Sequence, residues 1–300
     1  MAAQLRLVRR RISTVQSIQK ITRAQELIAS SRIVRAQQQM RAGEPYATEL
    51  TRAVEAVISR SGNITHPFTE EPENPSRAAV LILTSDQGFA GAYNANVLRE
   101  SARLRQTLRD RGLEPVLYVA GRKGIGWHRF RELELADSWS GFSAAPKYSD
   151  AQQITTVLLE AFNAEGGVDE IHLVCTEFVS MLTQRPVARR LLPLEIEETD
   201  EEHPAGPLPQ YEFEPGPVEV LDALMPQYVA SRIYYAMLEA AAAELASRRR
   251  AMKAATDNAG DLIERLTREA NNARQAEITQ EISEIVGGSN ALAGASARNE

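Results

Sequence analysis

The sequence predicts an α/β domain combined with a long antiparallel coiled coil formed by the N- and C-terminal helices. Two observations support this fold class. Apolar residues recur with helical spacing through both ends of the 300-residue chain, while the middle alternates short apolar runs with amphipathic segments. That alternation is typical of a partly parallel sheet covered by helices.

The C-terminal segment from Pro226 to about Val286 predicts one long helix. Its apolar residues return every three or four positions, and Gly287-Gly288 is expected to end it. A helix of about 61 residues extends roughly 90 Å. We expect a partner helix along its length, because helix propensity alone stabilises such a helix poorly.

Residues 4–42 predict a second amphipathic helix, with Ile18, Ile21 and Ile28 among its apolar positions. Pro45 is expected to end or kink this helix, since proline removes a backbone hydrogen bond, and the helix is expected to resume beyond it. A central domain between the terminal helices allows them to pack antiparallel.

Pro45 and Pro226 are interpreted as the points where the two helices meet the central domain. Aligning these prolines gives a register in which paired positions sum to about 271, with Met1 near residue 270. The C-terminal helix would then extend about 16 residues, or roughly 25 Å, past the N-terminal one.

The middle of the chain predicts a small Rossmann-like domain. Apolar runs predict strands at residues 78–84, 115–120, 171–179 and 187–196. Amphipathic segments predict helices at residues 92–111, 125–133 and 151–164. The expected organisation is an N-terminal helix at 1–60, an α/β domain at 76–197, an acidic proline-rich loop at 198–217, a C-terminal helix at 218–288 and a disordered tail at 289–300.

Composition indicates an ordinary soluble globular chain, with 43% hydrophobic and 25% charged residues. No apolar run approaches the ~20 residues that span a bilayer. The basic N-terminus lacks the apolar block of a signal peptide, so no cleaved leader is expected. The single cysteine, Cys175, excludes an internal disulfide and favours a reducing compartment.

Charge is unevenly distributed. Residues 1–41 carry nine Arg or Lys and one acid, whereas residues 191–231 carry ten acids and no Arg or Lys. The two regions are therefore expected to meet different surfaces. In the proline-based register, six basic residues converge with only Glu26 and Glu244 nearby, which favours an acidic partner over a merely solvated helix face. This basic collar comprises Lys20, Arg23, Arg248, Arg249, Arg250 and Lys253.

Beyond the predicted end of the N-terminal helix, the C-terminal helix still carries apolar residues. Covering each of them would stabilise a complex by roughly 1.5–3 kcal/mol, so they predict a socket in another protein. This apolar tip comprises Ile278, Ile282, Ile285 and Val286.

Two glycine-containing segments invite comparison with phosphate-binding loops. The loop Ser85–Asn94 follows a strand and opens a helix, but its glycines match neither the dinucleotide fingerprint nor the P-loop, so a structural turn is favoured. The segment Gly121–Gly126 also lacks the P-loop spacing. His172 and Cys175 are interpreted as core residues of a strand. No catalytic residue, metal site or cofactor site is predicted.

Four segments resemble the γ subunits of F-type ATP synthases, especially actinobacterial ones. They are Ile18–Ala24, Ser85–Asn94, Ala251–Ala259 and Ala273–Gly287. The resemblance implies a rotating shaft inside a ring of three α and three β subunits. It also implies an α/β foot on the membrane rotor c-ring beside the ε subunit, with the δ subunit contacted only indirectly. The implied location is peripheral, on the cytoplasmic face of the bacterial plasma membrane, and the catalysis belongs to β.

The resemblance also implies roles for particular residues. Arg23 and Arg248 would face acidic loops of β, and Gln25 replaces the usual Met beside them. The acidic loop is interpreted as a lineage-specific insertion, and the redox cysteine pair of chloroplast forms is absent. The upper contact with the ring would involve Arg274, Gln275, Thr279 and Glu281.

Two other functions remain open from the residues alone. A nucleotide-binding α/β enzyme with helical arms would use the loop 86–94. A nucleic-acid-binding coiled coil would use the basic collar, with binding that depends on salt.

Overall fold

The computed structural model describes residues 2–60, 66–194, 214 and 216–296. The described residues belong to two compact units, Met1–Ile28 with Arg250–Glu300, and Ala29–Arg249. The second unit contains the whole sheet. In chain order the elements are α1 (Ala2–Arg60), β1 (Arg77–Leu83), α2 (Tyr93–Asp110), β2 (Glu114–Ala120), α3 (Arg122–Phe130), β3 (Asp137–Trp139), α4 (Tyr148–Asn163), β4 (Glu170–Phe178), β5 (Gln184–Leu192) and α5 (Pro217–Ser296).

The sheet has the strand order β3-β2-β1-β4-β5. Strands β1 to β4 run parallel, and β5 pairs antiparallel with β4. The predicted α/β fold with terminal helices is therefore confirmed. Strand β3 was not predicted, because three residues are too few to produce a periodic pattern. Strand β5 begins at Gln184 rather than at residue 187.

Strand β1 separates two apolar layers, because successive side chains point to opposite faces of a sheet. Ala79, Leu81 and Leu83 pack in one cluster with residues of α4, α1 and α5. Ala78, Val80 and Ile82 pack in the other cluster with residues of α2. All six side chains are buried, so β1 lies at the centre of the domain.

Helix α1 runs through Pro45 without ending, so of the two predicted effects of this proline the end of the helix is wrong. An interior proline costs about 3 kcal/mol of helix stability. Leu50, Val54 and Val57 follow it and are buried, and the last two join the main core cluster. Packing of this apolar face offsets the local cost.

Helix α5 also differs from its predicted bounds at both ends. It begins at Pro217, one residue before the predicted boundary at 218 although nine before the Pro226 start that the periodicity suggested, and it continues past Gly287 to Ser296. The prediction of a disordered tail from Ser289 is therefore wrong up to Ser296, and residues 297–300 lie outside the described residues. A glycine weakens a helix by about 1 kcal/mol but does not by itself end it. Of the predicted acidic loop, only residues 214, 216 and 217 are described.

The register predicted from the prolines is wrong. In the unit formed by the chain ends, the Thr22 and Thr256 hydroxyls are 2.8 Å apart, whereas the prediction places Thr22 opposite Arg249. The error is seven residues, about two helical turns. Both prolines lie inside helices, so neither marks the junction with the central domain. The antiparallel pairing is supported by a cluster of Leu5, Val8, Leu266 and Ala270.

In the second unit, α1 and α5 pack through small residues. Ile33 and Ala36 form a buried cluster with Ala242, Leu245 and Ala246. A Cβ added to Gly43 would lie 3.4 Å from Leu238 Cδ1. Small side chains therefore allow the two helices of this unit to lie close together.

Candidate functional site

The loop that joins β1 to α2 is held in place by its own side chains. The Asp86 carboxylate accepts hydrogen bonds from the backbone amides of Arg122, Gly141 and Ser143, at 2.8–3.1 Å. Burial alone would raise the pKa of Asp86, but the three hydrogen bonds together lower it by more than burial raises it. The pKa of Asp86 therefore lies below its usual value. Asn94 Oδ1 accepts a bond from the Ser85 amide. These contacts support the interpretation of Ser85–Asn94 as a structural turn.

The backbone donors of the segment Gly121–Gly126 are also used internally. The Arg122 amide donates to Asp86, the Lys123 amide to the Ser85 carbonyl and the Gly124 amide to Thr84 Oγ1. These first amides of α3 are the groups that a phosphate at a helix N-terminus would need. Here the chain's own oxygen atoms occupy them.

Arg248 of the predicted collar is a buried residue of the second unit. Its Nη2 atom donates to Glu244 Oε1 at 2.6 Å and to the carbonyls of Gln87 and Gly88 at 3.2 and 3.3 Å. Burial raises the pKa of Glu244 above its ordinary value, although Arg248 opposes the shift. An outside acid could therefore reach this guanidinium only by displacing contacts within the chain.

The other collar positions differ in exposure. Lys20, Arg23 and Arg250 are exposed, whereas Arg249 is half-buried, as is Gln25, which lies next to the collar in the sequence. Lys253 is exposed and lies 3.7 Å from Asp257, one turn later on the same helix, an acid that the sequence analysis did not count among those near the collar. With Thr22 beside Thr256, Lys20 and Arg23 lie about two turns from the position that was predicted for them.

The apolar tip is uncovered within the unit that contains it. Ile278, Ile282, Ile285 and Val286 are 45%, 56%, 71% and 53% exposed. The predicted contact residues on the same part of α5 are also exposed, and the Thr279 hydroxyl donates to the Gln275 carbonyl. These neighbouring positions are Arg274, Gln275, Thr279 and Glu281.

A second apolar face, which the sequence interpretation missed, lies on the N-terminal part of α1. Ile18, Ile21 and Ile28 were assigned to the face that packs on α5, but they are 48%, 60% and 52% exposed. The face in contact with α5 instead carries residues such as Leu5, Val8 and Thr22. Residues of one set recur at seven-residue spacing, as Ile21 and Ile28 do, and the two sets occupy different heptad positions. A heptad count could therefore have distinguished them.

His172 and Cys175 belong to strand β4, and both are buried, in agreement with the core interpretation. His172 Nε2 lies 2.7 Å from Glu170, which also accepts a hydrogen bond from Arg111. Burial would raise the pKa of Glu170, but the hydrogen bonds from His172 and Arg111 lower it to about 2. Burial raises the pKa of Cys175 to about 12, so its thiol is a poor nucleophile.

Neither a metal cluster nor a membrane span is found in the described part of the chain. Within those residues, no three His, Cys, Asp or Glu side chains group in a way that could hold a metal ion. No described helix is both long enough and apolar enough to cross a bilayer.

Comparison with known proteins places this fold in a family. Residues 4–292 match the family model described as ATP synthase, and the chain belongs to that family. Its curated relatives include the ATP synthase gamma chains of Thermobifida fusca, at 59% identity over all of both chains, and Acidothermus cellulolyticus, at 61% identity over 97% of this chain and 98% of that one. The predicted resemblance to γ subunits of actinobacteria is confirmed.

A solved structure agrees on the fold. A chain of the Euglena gracilis mitochondrial ATP synthase, in a structure of OSCP, F1 and the c-ring, superposes with a TM-score of 0.66 at 14% identity. The match covers 97% of this chain and 95% of that one. At this identity the likeness concerns the arrangement of helices and strands.

Proposed function

We propose that the chain is the rotating central shaft of an F-type ATP synthase. It couples proton-driven rotation of a membrane ring to ATP synthesis in the catalytic β subunits. The observation that supports this best is the apolar tip of α5, whose isoleucines stay exposed in a chain belonging to the gamma-chain family. A large exposed apolar patch rimmed by polar residues is typical of a surface that contacts another protein.

The proposed partners follow from the same assignment. The coiled coil formed by the N- and C-terminal helices lies inside a ring of three α and three β subunits. The α/β domain at 76–197 rests on the membrane c-ring beside the ε subunit, and δ is reached only through other subunits. The chain is peripheral, on the cytoplasmic face of the plasma membrane, and binds no nucleic acid.

The chain acts mechanically in this proposal and has no catalytic site or cofactor of its own. Rotation of an asymmetric pair of helices presents a different surface to each β subunit in turn and so imposes different conformations on them. The internal use of the Arg122, Lys123 and Gly124 amides supports a structural role for the α/β domain.

The proposed contacts with the ring divide into three groups. The exposed basic positions of the collar face acidic loops of β, with Gln25 beside them, whereas Arg248 reaches those loops only when Glu244 is displaced. The polar positions on α5 form an upper contact, and the apolar tip inserts into a bearing surface. The collar consists of Lys20, Arg23, Arg248, Arg249, Arg250 and Lys253. The upper contact consists of Arg274, Gln275, Thr279 and Glu281. The apolar tip consists of Ile278, Ile282, Ile285 and Val286.

Affinity purification of the tagged chain from its host tests the assignment. The α and β subunits are expected to co-purify in equal amounts, and purification without them would overturn the proposal.

A Lys20→Glu, Arg23→Glu double variant tests the collar, because both side chains are exposed and the fold should tolerate the change. We expect an assembled complex with weakened proton-driven ATP synthesis, whereas Arg109→Glu on α2 should have no effect. Normal synthesis in the double variant would contradict the collar contact.

A further inference from the structure

A cavity in the Ala29–Arg249 unit is lined mainly by tyrosine. Its volume is 340 Å³, within the range of about 300–1,000 Å³ typical of small-molecule pockets. Four of the eight tyrosines in the chain meet here, although they come from three separate helices. The lining residues are Gly43 and Tyr46 of α1, Tyr148 of α4, and Ser231, Tyr234 and Tyr235 of α5.

Two of the rings form perpendicular walls. The centroids of Tyr148 and Tyr234 are 5.6 Å apart, and their planes meet at 88°. Burial raises the pKa of Tyr148, and its interaction with Tyr46 adds to the shift, so the Tyr46 side chain lies close to this corner. Tyr46 itself is 52% exposed and borders the open side of the cavity.

Both acidic and basic side chains lie near the cavity. Burial raises the pKa of Tyr235, and the carboxylates of Glu239 and Glu44 raise it further, while Arg189 and Arg232 oppose them. Arg189 is paired with Glu239 at 3.5 Å. Glu44 is exposed, and its effect on the pKa of Tyr235 places its carboxylate near this residue of the lining.

We propose that this tyrosine cavity binds a small organic cation with a quaternary or fully alkylated ammonium group. The face of an aromatic ring carries negative potential and attracts such a cation, most strongly where water is excluded. Tyr148 and Tyr234 are perpendicular, so a cation in the cavity can lie against the face of at least one of the two rings. A compact, strongly hydrated ammonium or metal ion is disfavoured, because the exposed surface of the lining is mainly carbon and presents few hydroxyl oxygens to replace the ion's water. This site is independent of the proposed rotary function.

Choline and its neutral isostere 3,3-dimethylbutan-1-ol are the probes that separate charge from size. Both would be titrated into the purified full-length chain, followed by NMR at constant ionic strength maintained with sodium chloride. Saturable binding of choline is expected, at least tenfold tighter than that of the isostere. The tyrosine ring signals should shift with the same binding curve.

Matched variants test the residues. Tyr148→Phe keeps the ring and should bind choline within about twofold of the parent, whereas Tyr148→Ala should lose at least tenfold. Tyr46→Ala provides a second test, because this exposed side chain can be removed with little effect on folding. Phe130→Ala, at an 85% exposed aromatic outside the cavity, should leave the affinity unchanged.

Three results would overturn the proposal. Equal affinity for choline and the alcohol would show that the cavity selects by shape and takes neutral ligands. An absence of saturable choline binding would show that it holds no such cation. Unchanged affinity in both Tyr46→Ala and a folded Tyr148→Ala would place any binding elsewhere.

Discussion

The guanidinium of Arg248 lies 2.6 Å from the carboxylate of Glu244, one turn earlier on α5, and their side chains are only 6% and 1% exposed. The same guanidinium donates to the carbonyls of Gln87 and Gly88 in the loop after β1. A buried charge with this many acceptors stabilises one arrangement of the loop against the helix. The Arg248–Glu244 pair therefore joins α5 to the α/β domain.

Substitution of Glu244 should show how much the Arg248–Glu244 pair contributes to the free energy of unfolding. Glu244→Ala is expected to lower the free energy of unfolding by about 3–5 kcal/mol, because it leaves Arg248 as a buried charge without a counter-ion. The control is Asp257→Ala, which breaks an equally spaced pair on α5 whose side chains are 63% and 64% exposed. That change should cost less than about 1 kcal/mol. Urea unfolding of the two variants compares them, and equal losses would contradict the burial of the Arg248–Glu244 charges.

Gly121 is expected to be intolerant of a side chain. Its φ is +107°, and a Cβ would lie 2.2 Å from the Thr84 carbonyl oxygen. Gly121→Ala should therefore lower the free energy of unfolding by about 2–5 kcal/mol through backbone strain and overpacking.

Gly126, nearby in α3, is the matched control for Gly121. A Cβ at Gly126 would meet nothing within 4 Å. Gly126→Ala should be neutral or stabilise by up to about 1 kcal/mol, because alanine favours the helix. Thermal unfolding of both variants tests the contrast, which fails if the two alanines have similar effects.

Glu170 should make the stability depend on pH in the acid range. Its pKa is about 2 in the folded protein against an ordinary value of 4.5, so its contribution is complete above about pH 4.5 and is lost as the pH falls towards 2. The difference between the parent and Glu170→Gln should be about 3 kcal/mol at pH 7 and should shrink over that interval. Urea unfolding at a series of pH values measures it.

The matched control for this pH dependence is Glu114→Gln, at a carboxylate that is 74% exposed. Its difference from the parent should stay small at every pH. A difference for Glu170→Gln that did not change between pH 7 and pH 2 would show that the Glu170 carboxylate is not stabilised by His172 and Arg111.

Cys175 should be unreactive in the folded chain. Burial raises the pKa of its thiol to about 12, so at pH 8 almost no thiolate forms. Ellman's reagent should therefore titrate no thiol in the native protein and one thiol in guanidinium chloride. Rapid labelling of the native chain would contradict the burial of β4.

The apolar tip should matter for assembly and not for the isolated chain. Ile282→Asn removes an exposed side chain, so the free energy of unfolding should change by less than about 1 kcal/mol. The proposed shaft role predicts impaired coupling in the reconstituted complex. Leu266→Asn is the control for burial, because Leu266 belongs to the cluster between the terminal helices and its loss should destabilise the chain itself. A fully coupled complex with Ile282→Asn would argue against the bearing contact.

The sequence predicts the parts of this fold that depend on local patterns. The apolar run of β1 and the long periodicity of α5 identify a strand and a helix without any knowledge of their neighbours. The register of the helix pair depends instead on where each helix enters the domain. The register prediction was wrong because it took Pro45 and Pro226 as the points where the helices enter the domain, whereas both prolines lie inside helices.

The sequence predicts which residue types the candidate site contains, but not which of them are buried or exposed. Three consecutive arginines indicate a basic surface, but the burial of Arg248 depends on Glu244 and on carbonyls of a loop about 160 residues away in sequence. The tyrosine cavity is lined by residues of α1, α4 and α5, so no local sequence motif predicts it. The burial of Arg248 and the tyrosine cavity both depend on contacts between segments that are distant in sequence. Patterns within a single sequence do not predict such contacts.

Single-molecule rotation is the most direct measurement of the proposed shaft role. Ala102→Cys places a reactive thiol on the exposed face of α2, while Cys175 stays buried, so a bead can be attached specifically. With the α and β subunits fixed to a surface, ATP should drive the bead in one direction with three pauses per turn, one for each β subunit. A bead that shows only undirected motion in an ATP-hydrolysing complex would contradict the shaft role.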